Sequence, residues 1–174
     1  MKKPISLWQF AGFAFVAVVG VLLHFLYDLT NQNILFAPFS AVNESTFEHL
    51  KLLFFPMFAF AVIQSFFFKD FKNFRCVKLI GISVGLILIP VLFYTVNGVF
   101  GTSPDWLNIA IFFISAAVSF IVETRLFKNP SKVCKPSLLC FIIICIIAVL
   151  FVLFTFFTPH IPFFEDPLSR TYGI

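Results

Sequence analysis

Five long apolar runs, at about residues 5–27, 50–68, 77–99, 106–122 and 137–158, are separated by segments whose charge alternates in sign. A helix crosses a bilayer core with roughly 20 consecutive apolar residues, and loops rich in Lys and Arg stay in the cytoplasm. Lys2 and Lys3 precede the first run, Lys69, Lys72, Arg75 and Lys78 follow the second, and Arg125, Lys128, Lys132 and Lys135 follow the fourth. These segments take ten of the twelve basic residues and leave only Lys51 and Arg170 elsewhere. The remaining connections hold six of the eight acids, with His49 and His160, and His24 lies just inside the first run. The pattern predicts an all-α polytopic membrane protein: a single domain over residues 1–174, built as a bundle of five transmembrane helices. Its N-terminus is expected in the cytoplasm and its C-terminus outside.

Composition removes the alternatives. Charged residues make up 11% of the chain and mean hydropathy is +1.03, whereas soluble domains carry about 25% charged residues. The net charge of +4 is a topology signal, because no basic stretch is longer than a short loop; nucleic acid is not an expected partner. The first run lacks a small-x-small cleavage site and reads as a retained signal anchor. Cys76, Cys134, Cys140 and Cys145 include no CxxC and avoid the outer segments, so free thiols packed as small apolar groups are expected. The Phe, Ile and Lys bias suggests a bacterial inner (cytoplasmic) membrane, with the lipid bilayer as its first partner.

Local signals refine the bundle. Ser45-x-x-Glu48 reads as a capping box that starts the second helix near Thr46. Pro56 and Pro90 fall inside spans, where kinks are expected, and Gly81 and Gly85 form a small-xxx-small pattern for close helix approach. The connection 28–49 carries Ile34, Leu35, Phe36 and Phe39, so part of it is expected on the membrane surface or between helices. The aromatic tail 160–174 is expected to fold back over the outer mouth.

Chemistry, if any, belongs to that outer face. Glu48 and His49 are the candidate acid–base or ligand pair. Asn43, Glu44 and Lys51 surround them in sequence, and Ser45 and Glu48 also have a capping role, with Lys51 placed to pair with Glu48 at i, i+3. His24, Tyr27 and Asp28 share one helix face, where a His24–Asp28 hydrogen bond is the simpler reading. The tail adds His160, Asp166 and Arg170. A divalent metal held by His24, His49, His160 and a carboxylate is geometrically allowed, although no HExxH or comparable ligand spacing supports it.

H-x-x-Y-D at the end of the first helix, V-N-E-S-T-F-E-H-L-K at the start of the second, and the tail F-F-E-D-P-L-S-R-T-Y-G-I resemble a family of small bacterial multipass membrane proteins, with N-E-S-x-x-E-H-x-K as the most specific part. The resemblance implies no activity, substrate or cofactor. The leading expectation is an outer-face His/carboxylate pocket that binds, and in an enzymatic version processes, a lipid head group or small polar ligand. A transporter or substrate-binding subunit of a larger complex, which needs an oligomer or membrane partner, is the second reading. A non-catalytic accessory protein is the third.

Overall fold

A computed structural model describes residues 4–71, 73–101, 104–129 and 137–174. The basic residues Lys2, Lys3, Lys72, Lys132 and Lys135, and Cys134, lie outside the described residues. Five helices follow the five apolar runs: α1 Ile5–Leu29, α2 Thr46–Phe67, α3 Phe74–Phe100, α4 Asp105–Lys128 and α5 Ser137–Phe156. Each is long and apolar enough to cross a membrane. Helices α1 to α4 run past the apolar runs at one or both ends, most of all α4, which continues six residues beyond 122, while α5 stops two residues short of 158. The charges that end a run can therefore sit on helix and inside the bundle.

Neighbouring pairs α1–α2, α2–α3, α3–α4 and α4–α1 close a four-helix ring, and α5 packs against α3 and α2. The bundle is apolar inside and out. Leu7, Phe10, Ile87, Trp106 and Leu138 are all more than 60% exposed, the surface expected of a protein whose solvent is lipid. Helix α2 is the most buried element, with Leu53, Phe54 and Met57 at its centre.

Small residues set the helix spacing. A Cβ on Gly81 would meet the side chain of Glu123, and one on Gly85 would meet Leu53 and Ser119. The expected close approach of α3 is thus onto α4 and α2. Helix α2 continues through Pro56, whose missing N–H leaves the Leu52 carbonyl without its helical donor. Gly20 of α1 packs directly on that oxygen; a Cβ there would stand 2.8 Å from it. The proline and the glycine on the facing helix are parts of one contact.

One expectation fails inside the bundle. Cys76 and Cys140 are joined in a disulfide, and Cys145 is the free thiol among the described residues. Helices α3 and α5 run parallel, so their first turns meet and bring the two Cα atoms to 5.1 Å, inside the range a disulfide bridges. The pair is 64 residues apart, which spacing rules cannot see.

Candidate functional site

The end of the bundle opposite the basic connections gathers the C-terminus of α1, the N-terminus of α2, the connection between them and the tail. Helix α2 starts at Thr46 because Ser45 is its N-cap, its Oγ accepting from the Glu48 amide at 3.3 Å. The reciprocal half of the capping box does not form. The Ser45 amide donates instead to Asn43 Oδ1 at 2.9 Å, an Asx-type turn, and this releases the Glu48 carboxylate.

Glu48 turns inward. Its Oε2 lies 2.5 Å from Lys51 Nζ and accepts from the Val42 amide at 2.9 Å. Lys51, fully buried, also donates to the Ala37 carbonyl at 2.9 Å and to Thr155 Oγ1 of α5 at 3.0 Å. Its three donors have three acceptors. The expected i, i+3 pair is therefore a saturated clasp that ties the 30–45 connection and α5 to α2. It also explains why Ala37 and Ser40 of that connection are fully buried while Ile34 and Leu35 stay exposed.

With Glu48 turned in, His49 faces the other way. Its Nδ1 stands 2.9 Å from the Ser45 carbonyl, and a carbonyl only accepts, so Nδ1 carries a hydrogen, and Nε2 presents a lone pair in the neutral ring or a second N–H in the imidazolium. That Nε2 points at Glu44 Oε2, 3.4 Å away. On the far side, His24 Nε2 of α1 is 3.8 Å from Glu44 Oε1, and the two imidazole rings are 5.4 Å apart. The Nδ1 of His24 is buried without a hydrogen-bond partner. His24 thus faces Glu44 of the neighbouring segment, not Asp28 on its own helix, and Asp28 is exposed. About a third of each imidazole and somewhat more of the Glu44 side chain remain accessible.

A lone pair facing a carboxylate oxygen is repulsive unless a positive centre lies between them. One ligating atom from each of His24, Glu44 and His49 fits within a mutual 4.8 Å. Ligands of a tetrahedral ion with bonds of about 2.0–2.1 Å sit roughly 3.3 Å apart. The His49–Glu44 side is already at that spacing, and His24 has to close by up to about 1.5 Å on the others. Fixing a ligand imidazole through Nδ1–H to a backbone carbonyl is the usual way a protein orients Nε2 toward a metal. The His49 contact, with weaker help from His24, holds the Glu44 carboxyl below the usual carboxylate range despite its partial burial.

The other outer-face candidates support the site or lie apart from it. Asn43 Nδ2 donates to the Gly173 carbonyl at 3.0 Å, and the Phe47 amide donates to the Phe163 carbonyl at 3.2 Å, so the tail docks on α2. Asp166 accepts from the Leu168 and Ser169 amides at 2.8 and 3.4 Å and lies beside the Glu44 backbone. Burial works to raise its pKa, but these bonds outweigh it and hold the carboxyl low. Arg170 is exposed and pairs with Glu165 at 3.0 Å, and Tyr27 is buried. His160 stacks on Tyr172 with ring centres 4.7 Å apart and takes no part in the ligand cluster. Of the three histidines that a metal set could draw on, His24 and His49 stand together with Glu44, and His160 lies apart.

Sequence reasoning passed over the opposite end. Lys78 and Glu123, assigned to the basic connections, are buried within α3 and α4 and pair at 2.6 Å. Both fall about one turn inside their helices, where a solvated charge has no place.

The whole chain, residues 1–174, matches the model of a protein family described as a family of unknown function (DUF6512), and the chain belongs to that family. No curated protein and no solved structure matches it.

Proposed function

We propose that this member of the DUF6512 family is a bacterial inner-membrane protein that binds a divalent metal ion of the zinc class at its extracytoplasmic end, through His24, Glu44 and His49. Two imidazoles and one carboxylate are a ligand set that suits such ions and leaves a coordination position open. The observation that carries the reading is the His49 ring: Nδ1 at the Ser45 carbonyl and Nε2 facing a carboxylate. The alternative positive centre, a proton on Nε2, makes His49 an imidazolium paired with Glu44 and needs no ion.

The ligand for the open position is a lipid phosphate head group or another small anion. His24 lies five residues from the end of α1, about 8 Å in, between the exposed side chains of Leu22 and Phe25. That supports a site at head-group depth on the lipid-facing side. The reading is of binding, not processing: Glu48, the candidate base, is held by Lys51 and the Val42 amide.

The test is a zinc titration of the purified full chain in lipid nanodiscs, read as thermal stability. An ion that binds only the folded state stabilises it by about 2.7 kcal/mol at a hundred times its Kd. The wild type and His160→Ala should gain, and His49→Ala and Glu44→Gln should not. Equal gain in His49→Ala, or none in the wild type, overturns the assignment.

A further inference from the structure

Among the described residues are two buried Lys–Glu pairs, one near each end of the bundle, and they differ in one respect. At the histidine end every donor of Lys51 has an acceptor. At the basic end Lys78 Nζ meets Glu123 Oε2 at 2.6 Å and otherwise faces the rings of Phe60, Phe74, Phe120 and Phe127 at 5.6 to 5.8 Å. Glu123 Oε1 is buried with no hydrogen-bond partner.

Two more buried polar groups stand at the same level. Gln9 of α1 stands close enough to the Glu123 carboxyl to act on it as a hydrogen-bond donor, but the contact does not close into a hydrogen bond of good geometry, and both amide atoms are otherwise buried and unpaired. Gln64 of α2, fully buried, also has both amide atoms unpaired. Gln64 comes one turn after Phe60 and one turn before Phe68, whose ring packs on Phe74 and Phe127 at 6.1 and 5.5 Å. Phe60, Phe74 and Phe127 are three of the four rings around the ammonium, so Gln64 is level with the ion pair. Each of the four ring helices therefore contributes one buried polar side chain to a single layer.

Unpaired polar groups in a membrane interior are costly, and each calls for a partner. The open atoms are three acceptors (Glu123 Oε1 and the two amide oxygens) and two amide nitrogens with their hydrogens. Turning either amide exchanges a donor for an acceptor and changes nothing in that inventory. A metal cation would serve the oxygens, leave the amide hydrogens unpaired and sit close to the Lys78 ammonium. An anion would meet Glu123. The missing partner has to be small, neutral, and both donor and acceptor, which is the description of water.

We propose that Gln9, Gln64, Lys78 and Glu123 form a second site, a hydrated chamber inside the bundle that takes water as its ligand and solvates an intramembrane ion pair. Ionisable residues placed this way are where membrane proteins build ion and proton pathways. Phe68, Phe74 and Phe127, all buried, close the chamber on the basic side. The site is independent of the metal reading and uses none of its residues.

Radiolytic hydroxyl-radical labelling of the full chain in lipid nanodiscs tests this, because radicals formed from trapped water modify the side chains beside it. Phe60 and Phe120, 5% and 3% exposed, should be labelled faster than Phe54, which is fully buried among rings. Gln64→Leu or Gln9→Leu should reduce the labelling of Phe60 and Phe120 toward the Phe54 level. Labelling of Phe60 and Phe120 no faster than that of Phe54 in the wild type means a dry layer and overturns the proposal, whether or not the variants fold. Faster labelling that both variants leave unchanged overturns it too.

Discussion

A lysine with no exposed surface decides much about this fold. Lys51 is stabilising only because Glu48, the Ala37 carbonyl and Thr155 accept its three hydrogens. Removing one member of a buried pair leaves an uncompensated charge, at a cost of about 3–5 kcal/mol. Lys51→Met should therefore lower stability by that amount, measured by thermal unfolding in detergent, and a Glu48→Leu change in the same chain should recover part of it. Equal losses in the single and double variants would show that packing, not charge, carries the effect. The same logic applies at Gly81, where Gly81→Ala drives a methyl into the Glu123 side chain; overpacking of this kind costs about 1–3 kcal/mol. The Glu48–Lys51 pair was legible in the sequence because its members are three residues apart on one helix. The Lys78–Glu123 pair was not, because its members are 45 residues apart and each sits where an apolar run gives way to basic residues.

Among the elements, the tail has a fold that depends on pH. Residues 165 and 172 form an isolated antiparallel bridge, reinforced by Arg170 and the Tyr172 hydroxyl, which donate to the two oxygens of Glu165 at 3.0 and 3.1 Å. Arg170, with Tyr172 adding, holds the Glu165 carboxyl below its ordinary value, which is about 4.3. A carboxylate depressed in the folded state contributes stability above its unfolded pKa and loses it as pH falls through the folded pKa. Hydrogen exchange at the Asp166 and Arg170 amides, which donate to the Thr171 and Asp166 carbonyls, should therefore be unchanged from pH 7 to 5, after correction for intrinsic rates, and accelerate below pH 4. Glu165→Gln should show the faster exchange already at pH 7. Aromatic residues in the tail announced that it would fold back. Their partners, Phe47 and Phe154 around Phe164, needed the three-dimensional arrangement.

For the whole molecule, two topology rules meet at the basic end. Lysine and arginine bias is the mark of a cytoplasmic end, whereas disulfides persist in oxidising compartments. The Cys76–Cys140 bridge is buried, and exchange with cytosolic thiols requires access to a sulfur. In denaturant without reductant, Cys145 should react with a maleimide while Cys76 and Cys140 should not; all three should react after reduction. Reaction of all three before reduction would return the chain to the free-thiol expectation. Helix number and the two-ended distribution of charge were readable from apolar runs alone. What the runs could not give was which polar residues meet, because that depends on helix neighbours and on the path of residues 30–45.

If His24, Glu44 and His49 hold a metal ion as proposed, zinc K-edge X-ray absorption on the full chain loaded with one equivalent of zinc should show a shell of nitrogen and oxygen at about 2.0–2.1 Å with an imidazole contribution, lost in His49→Ala. A sulfur shell at about 2.3 Å, or a spectrum unchanged by His49→Ala, would contradict the proposal.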